Sequence, residues 1–248
     1  MSIHALLFDL SGVLYEGDAC LPGAVDTIAR AREQGLTLRF VTNTATKSRE
    51  QILAKLGALG IEVKPDELFT APDAAVAYLA QRQQIPYALV HPAIAPLFRT
   101  DAANYNCVVL GDARDGLNYA TMNTAFRLLM DGCPLLGIGD NRYFRDTEGL
   151  SLDAGPFIHA LAYAADVEPV IMGKPSALFF AQVVASTGLT PEQCLMIGDD
   201  VFGDVEGALN AGAQAALVQT GKYRLGDEHK LSRPAPLIAG VADLWSLL

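Results

Sequence analysis

Short runs of apolar residues alternate with amphipathic segments along nearly the whole chain. The first run, residues 3–10, is almost entirely apolar, which is typical of a strand that is covered on both faces. Apolar residues then recur at helical spacing after Pro22, and Gly35 marks the end of that segment. This alternation predicts βαβ units and an α/β fold with a mainly parallel sheet.

The same rhythm predicts two groups of elements that differ in their place along the chain. Residues 73–166 carry an alternation of their own, which predicts a second, smaller α/β domain inserted into the first. We therefore expect residues 1–72 plus 167–248 to form the core domain and residues 73–166 to form the inserted domain. Strands are predicted at 3–10, 36–41, 68–70, 88–91, 108–110, 135–138, 168–172, 194–197 and 215–218, and helices after Pro22 and at 52–59, 119–130, 157–165, 177–186 and 205–210.

Composition and charge narrow the classes of protein to consider. Of the 248 residues, 51% are hydrophobic and only 19% are charged, so the chain can bury a large core. The formal net charge of −10 argues against a nucleic-acid partner. The four cysteines are widely spaced without a CxxC pair, and no apolar stretch approaches the ~20 residues that span a bilayer. We predict a cytoplasmic protein that binds neither nucleic acid nor membranes.

Four polar signatures each follow directly after a predicted strand. The carboxyl ends of parallel strands share one edge of the sheet, where open α/β folds bind their ligands. The four signatures are therefore expected to converge there. They are Asp9 and Ser11 in DLSGV, Thr42-Asn43, Gly173-Lys174-Pro175, and Gly198-Asp199-Asp200 with Asp204.

The residue types in these signatures suit phosphate and metal chemistry. Asp9 can attack an electrophile or hold a cation. Asp199, Asp200 and Asp204 offer only oxygen ligands, which favours Mg²⁺ over Zn²⁺. Taken singly, Asp9 would more often form a turn, and Asp204 would more often cap a helix. Carboxylates crowded together repel one another, so an added cation explains the cluster better.

The remaining groups add positive charge and hydrogen-bonding capacity. Lys174 can offset the charge of an aspartate and a phosphoryl group, although a lone lysine is more often at the surface. Thr42 and Asn43 can hydrogen-bond phosphate oxygens, although such a pair more often caps a helix. A functional site is favoured because the alternative explanations would have to coincide four times.

The ordered motifs DLSGV, TN, GKP and IGDD-x-x-x-D resemble those of the haloacid dehalogenase-like phosphatases. The inserted segment resembles the larger α/β cap of their subfamily IIA. The resemblance covers nearly the whole chain. It implies a Rossmann-like, doubly wound parallel sheet as the core, an inserted α/β cap domain that carries substrate specificity, and a homodimer formed through that cap.

The resemblance also implies a role for each matching residue. Asp9 would be the nucleophile that forms an aspartyl-phosphate and would also ligate Mg²⁺, and Ser11 would ligate the metal through its main-chain carbonyl. Thr42 and Asn43 would bind phosphoryl oxygens, and Lys174 would pair with the nucleophile and the phosphate. The implied roles at the fourth motif are direct metal ligation by Asp199 and orientation of the metal shell by Asp200 and Asp204.

Ser11 departs from the pattern of most of these phosphatases, which carry a second aspartate there as general acid and base. A hydroxyl cannot replace a carboxyl in proton transfer at neutral pH, and such transfer is typically worth 10²–10⁴-fold. We therefore predict a preference for N-phosphoryl compounds, pyrophosphate and aryl phosphates, whose leaving groups need a proton less than alkoxides do. The alternative is a slow or inactive phosphoryl-binding regulatory protein.

The inserted domain contains a polar and aromatic loop that is a candidate for substrate recognition. Arg142 and Arg145 lie in it, and either guanidinium can meet an anionic or peptide-like substrate. Solvated loop residues or ion-pair partners are an equally good interpretation of both. The expected partner is a small phosphorylated substrate or a phospho-amino-acid side chain. A dinucleotide-binding module is disfavoured because no G-x-G-x-x-G follows the first strand.

Overall fold

The computed structural model describes residues 2–101, 104–146 and 149–248, with the side chains of residues 145 and 146 left aside. Backbone contacts divide the chain into two compact units. The first unit contains the described residues up to Thr42, together with Arg49–Phe69 and Lys174–Leu248. The second unit contains Asn43–Ser48 and Thr70–Gly173, so its larger segment is inserted into the first unit along the sequence.

Strands and helices alternate through both units. The strands are β1 (Ala5–Asp9), β2 (Tyr15–Glu16), β3 (Ala19–Cys20), β4 (Thr37–Thr42), β5 (Leu68–Thr70), β6 (Pro86–Leu89), β7 (Cys107–Leu110), β8 (Leu135–Ile138), β9 (Tyr143–Asp146), β10 (Gly149–Leu152), β11 (Val170–Met172), β12 (Cys194–Gly198), β13 (Gln214–Val218) and β14 (Leu237–Ile238). The helices are α1 (Ala24–Glu33), α2 (Arg49–Ala58), α3 (Ala71–Gln81), α4 (Tyr119–Met130), α5 (Ala154–Ala165), α6 (Ala177–Thr187) and α7 (Gly207–Asn210), and Val201–Glu206 forms a π-helix directly before α7.

The first unit is built on a six-stranded sheet in the order β14-β13-β12-β1-β4-β5. Strand β1 is central, and it pairs in parallel with β12 on one side and β4 on the other. Every residue of β1 is buried, as expected for a strand covered on both faces. Phe8 of β1 and Phe40 of the neighbouring β4 stack their rings on each other, with ring centroids 5.9 Å apart. The carboxyl end of β1 is therefore held in place by a packed core.

The second unit has a separate four-stranded parallel sheet in the order β11-β8-β7-β6. Its core joins buried residues of the sheet, such as Val108 and Leu135, to Leu129 of α4 and Ile158 of α5. Strands β9 and β10 pair with each other in antiparallel orientation in this unit. None of the helices in the described parts of the chain combines the length and apolar character that crossing a membrane requires.

The α/β fold class, with a Rossmann-like core and an inserted α/β cap domain, is confirmed. One predicted element joins a different sheet, because the strand predicted at 168–172 is β11 (Val170–Met172), which pairs with β8 of the second unit. The chain passes from one unit to the other at residues 42/43, 48/49, 69/70 and 173/174, whereas the predicted core was residues 1–72 plus 167–248. A short apolar run has the same pattern in either sheet, so the pattern cannot tell which partner strand it will meet.

Two helical segments begin earlier than predicted, each directly after an aspartate that caps it. The helix predicted at 157–165 begins at Ala154, whose N–H donates to the Asp153 side chain over 2.7 Å. This is an N-cap contact, which satisfies a backbone donor that the helix itself leaves free. The helix predicted at 205–210 is preceded by the π-helix Val201–Glu206, so helical structure begins four residues earlier.

Candidate active site

Asp9 is the last residue of β1, at the carboxyl edge of the first unit's sheet. Its partner in β4 is Val41, so Thr42 lies one residue further along the neighbouring strand. On the other side, Phe8 pairs with Ile197 of β12, and Asp199 follows the end of that strand. Parallel pairing thus brings these polar residues to one edge, as the sequence predicted.

Asp9, Asp199 and Asp204 form a buried carboxylate cluster. Each offers an oxygen atom, and these three atoms lie within 4.8 Å of one another. Burial raises the pKa of Asp9 to about 6, with Lys174 opposing the rise and Asp204 adding to it. Burial, with the charges of Asp9 and Asp204, also raises the pKa of Asp199 to about 7. The cluster therefore holds its negative charge at a cost that a bound cation would relieve.

Lys174 supplies the buried positive charge of this cluster. Its Nζ pairs with Oδ1 of Asp9 and lies 2.5 Å from Oδ1 of Asp204. Burial alone would lower the pKa of Lys174, but the charges of Asp204 and Asp9 outweigh it and raise that pKa above its usual value. The ammonium is therefore charged at neutral pH. Lys174 reaches the cluster although it follows β11 of the second sheet, so its arrival is not a consequence of parallel strand ends.

The turn that carries Asp204 is closed by reciprocal hydrogen bonds with Asp200. The Asp200 N–H donates to Oδ2 of Asp204 over 3.1 Å, and the Asp204 N–H donates to the Asp200 carbonyl over 2.9 Å. Oδ1 of Asp200 accepts from the N–H groups of Phe202 at 3.1 Å and Gly203 at 2.8 Å. Asp200 therefore acts as the cap of the π-helix, which fixes the direction of Asp204.

The Asp200 carboxylate is not part of the buried cluster. Its Oδ2 accepts from Nζ of Lys222 over 3.0 Å. Burial would raise the pKa of Asp200, but Lys222 and the N–H groups of Gly203 and Phe202 outweigh it and lower that pKa. The predicted metal ligand Asp200 thus faces hydrogen-bond donors of the protein. Local sequence cannot show this, because adjacent residues of a turn point in different directions.

A segment that the sequence predictions left without a role holds Asp199 in place. The main-chain N–H of Lys222 donates to Oδ2 of Asp199 over 2.7 Å. Gly12 and Gly221 both lie against the same carboxylate, where a Cβ on either would come within 2.1 Å of Oδ2. The Thr220 hydroxyl donates to the carbonyl of Gly12. Thr220, Gly221 and Lys222 follow β13, so the rule that parallel strands end at one edge was a signal that could have found them.

The charge and chemistry of this cluster fit a divalent metal ion. The ammonium of Lys174 pairs with two of the three carboxylates, so the buried cluster keeps an excess of negative charge when all three are ionised. Hard divalent cations prefer oxygen ligands of this kind. Asp9, Asp199 and Asp204 are therefore the residues that could hold such an ion.

The other predicted site residues lie outside the carboxylate cluster. Ser11 is exposed and forms an isolated β-bridge with Tyr15, directly before Gly12, whose φ is +89°. Thr42 is buried at the end of β4. Asn43 and the exposed Arg142 belong to the second unit, as does Arg145, whose side chain lies outside the described residues. The substrate-binding roles of Thr42, Asn43, Arg142 and Arg145, and the roles of Ser11, stay predictions.

Comparison with known proteins shows the family to which the chain belongs. Residues 6–114 match the family model described as haloacid dehalogenase-like hydrolase, and residues 171–244 match the one described as HAD-hydrolase-like. The chain is 42% identical over 238 residues to haloacid dehalogenase-like hydrolase domain-containing protein 2 of Bos taurus, which covers 96% of this chain and 92% of the relative. The protein belongs to the haloacid dehalogenase-like hydrolases and is an enzyme of that family.

Two further similarities bear on the subfamily and the fold. Phospholysine phosphohistidine inorganic pyrophosphate phosphatase of Bos taurus is 41% identical over 234 residues, with 92% of this chain and 87% of the relative covered. The p-nitrophenyl phosphatase from Archaeoglobus fulgidus superposes with a TM-score of 0.91 at 24% identity, over 100% of both chains. The predicted resemblance to subfamily IIA is confirmed.

Proposed function

We propose that this protein is a Mg²⁺-dependent phosphatase that acts through an aspartyl-phosphate on Asp9. The observation that carries the proposal is the position of the Asp9 carboxylate. It ends the central strand of the sheet, pairs with the buried Lys174 ammonium, and belongs to a cluster of three carboxylates. This arrangement supports Asp9 as the nucleophile, Lys174 as the charge-neutralising group and the three carboxylates as metal ligands.

The chemistry follows from what these residues can do. A carboxylate oxygen of Asp9 attacks phosphorus, the bond to the leaving group breaks, and the leaving group takes the bonding electron pair. Water then attacks the aspartyl-phosphate, which releases inorganic phosphate and restores the carboxylate. Lys174 neutralises charge beside Asp9, and Thr42 and Asn43 are proposed to bind the phosphoryl oxygens. Phosphoryl transfer depends mainly on such positioning and charge stabilisation.

Mg²⁺ is the proposed cofactor. Asp9, Asp199 and Asp204 would hold it, the main-chain carbonyl of Ser11 is proposed as a further ligand, and Asp200 would support the site from outside. When bound, the ion would offset the negative charge of the phosphoryl group and of the carboxylates. The oxygen-only donor set supports Mg²⁺ over a softer metal.

The proposed substrates are N-phosphoryl compounds, inorganic pyrophosphate and aryl phosphates, either as small molecules or as a phospho-amino-acid side chain. Ser11 supports this choice, because its hydroxyl cannot protonate a poor leaving group as a carboxyl would. The printed name of the 41% identical relative, a phospholysine phosphohistidine inorganic pyrophosphate phosphatase, supports the same class. The alternative of a slow regulatory phosphoryl-binding protein gains no support from the site or from the relatives.

The setting of the enzyme is proposed with the function. A cytoplasmic location is supported by Cys20, Cys107, Cys133 and Cys194, all of which are free thiols. Association of two copies through the second unit is proposed from the family resemblance. Nucleic acid and membranes are not proposed as partners, given the acidic net charge.

The test is phosphate release from pyrophosphate, a phosphoramidate, an aryl phosphate and a sugar phosphate, each with and without Mg²⁺. Asp9→Asn is the control, because it removes the nucleophile while keeping the size of the side chain. We expect release that requires Mg²⁺, disappears in Asp9→Asn and is slowest for the sugar phosphate. Undiminished release by Asp9→Asn, or no release from any substrate although metal binds, would refute the proposal.

A further inference from the structure

Lys222 makes two contacts with consecutive aspartates of the first unit. Its main-chain N–H donates to Oδ2 of Asp199 over 2.7 Å, and its Nζ donates to Oδ2 of Asp200 over 3.0 Å. The first contact uses the backbone and would survive a change of side chain. The second depends on the side chain itself. Lys222 therefore links Asp199 of the carboxylate cluster to Asp200, whose N–H holds Asp204.

The path of the chain before Lys222 is closely constrained. The Thr220 hydroxyl donates to the carbonyl of Gly12, and Gly221 has a φ of +65°, in the left-handed region that favours glycine. Gly221 also lies so close to Asp199 that it has no room for a Cβ. Lys222 thus leaves the sheet at a fixed point, with its N–H directed at Asp199 and its side chain able to reach Asp200.

Asp200 transmits the effect of Lys222 to the rest of the site. The ammonium occupies Oδ2, which leaves Oδ1 to accept the N–H groups of Phe202 and Gly203. The Asp200 N–H in turn donates to Oδ2 of Asp204, a member of the cluster. A change at the Lys222 side chain is therefore expected to reach Asp204 through the capped turn.

We propose that Lys222 is a positioning residue for the metal site, acting through Asp200 on Asp204. The inference rests on the proposed function insofar as the carboxylate cluster is taken as a metal site. The side chain of Lys222 is 69% exposed, so solvent screens the repulsion between its ammonium and a bound cation. We therefore expect the effect of Lys222 on the orientation of Asp200 to outweigh that repulsion. Losing the side chain should weaken metal binding. Loss of a single supporting contact around a metal site typically costs 10–100-fold in affinity or activity.

The experiment measures metal affinity without substrate. Mn²⁺ serves as the probe, and its free concentration is followed by electron paramagnetic resonance. We expect Lys222→Met to weaken Mn²⁺ binding about tenfold, at the lower end of that range, because Asp199 keeps its main-chain contact. Lys222→Arg should restore most of the affinity, since it can still donate to Asp200. The matched control is Lys230→Met, at the end of the 3₁₀ helix Asp227–Lys230, which loses the 2.6 Å pair with Asp227 and should bind Mn²⁺ normally.

A double-mutant cycle tests the route through Asp200. If Lys222 acts through it, Lys222→Met should have little further effect on Mn²⁺ affinity in an Asp200→Asn background. Unchanged or tighter Mn²⁺ binding by Lys222→Met, or full additivity in the cycle, would overturn the proposal. Lys222→Gln provides a second side-chain truncation if Lys222→Met does not fold. Failure of the phosphatase test with normal metal binding would refute the proposed function and leave this inference standing.

Discussion

Nζ of Lys174 lies 2.5 Å from Oδ1 of Asp204, and the same ammonium pairs with Asp9. All three side chains are buried, so the lysine compensates two carboxylates that have little access to water. Removing one partner of a buried ion pair leaves an uncompensated charge, which commonly costs ~3–5 kcal/mol. We therefore expect Lys174 to contribute to the stability of the site and, on the proposed mechanism, to its chemistry.

Lys174→Met should lower the Tm of the metal-free protein and reduce phosphate release by at least ~100-fold, the scale seen when one charge-stabilising donor is removed. Added Mg²⁺ should recover part of the Tm, because the ion can compensate the same carboxylates. Thermal unfolding and phosphate release measure the two effects. An unchanged rate would show that the ammonium has no part in the reaction.

Gly198→Ala should disturb the position of Asp204. A Cβ at residue 198 would come within 2.1 Å of the Asp204 Cβ, so the turn must shift. We expect the free energy of unfolding to fall by ~1–3 kcal/mol, as for overpacking in a core, and metal affinity to fall with it. Denaturant unfolding and Mn²⁺ binding provide the measurements.

The control for that substitution is Gly57→Ala in α2, where a Cβ would meet nothing within 4 Å. This change should stabilise the protein by ~0.5–1 kcal/mol, since alanine favours a helix over glycine. Metal affinity should not change. Equal effects of the two substitutions would contradict a specific role for the space beside Asp204.

The metal-free protein should lose stability at this site as pH rises from about 4 to about 7. Unfolded aspartates ionise near 3.8, whereas folded Asp9 has a pKa of about 6 and folded Asp199 of about 7. Between these pKa values the folded state binds more protons than the unfolded state does. The stability that these two groups contribute at low pH is therefore lost as the pH rises through this interval. Above about pH 7, no further change is expected from these two groups.

Comparison with Asp199→Asn separates this effect from other titrating groups. Unfolding by urea in the presence of a chelator, at pH 5 and pH 8, gives the free energies of both proteins. The wild type should lose more stability between the two pH values than the variant does. Parallel changes in the two proteins would mean that Asp199 does not titrate in this range.

Ser11→Asp should improve hydrolysis of sugar phosphates more than that of phosphoramidates. The new carboxyl can protonate an alkoxide leaving group, and general acid catalysis is worth at least ~10²-fold when it operates. Initial rates with both substrates give the ratio. Ser11→Asn is the control, because it has similar size but cannot transfer a proton. Equal gains for Asp and Asn variants would attribute the change to packing.

Combined replacement of Arg142 and Arg145 by alanine should raise KM for anionic substrates about tenfold, equivalent to ~1.4 kcal/mol of lost binding. Both residues lie in the second unit, and Arg142 is exposed. The rate constant kcat should change little, since neither residue is placed in the carboxylate cluster. An unchanged KM for every substrate would remove this loop from substrate recognition.

Periodicity predicted the fold class correctly because βαβ units leave a local pattern of apolar residues. It could not assign β11 to its sheet, since three apolar residues pack equally well beside several strands. The same limit applies to the boundary between the two units, which depends on pairing between distant segments. Local pattern identifies elements, whereas long-range pairing assembles them.

By itself, the sequence determined the α/β class and the placement of Asp9, Thr42 and Asp199 at the carboxyl ends of strands, because strand ends and motif spacing are local properties. Only the tertiary structure decided that Lys174, which follows a strand of the second sheet along the chain, pairs with Asp9 and Asp204, and that Asp200 pairs with Lys222. It also decided that Lys222 and Gly221 enclose Asp199. The physical reason is that side-chain direction and ion pairing depend on which distant segments pack together, and no spacing along the chain encodes that.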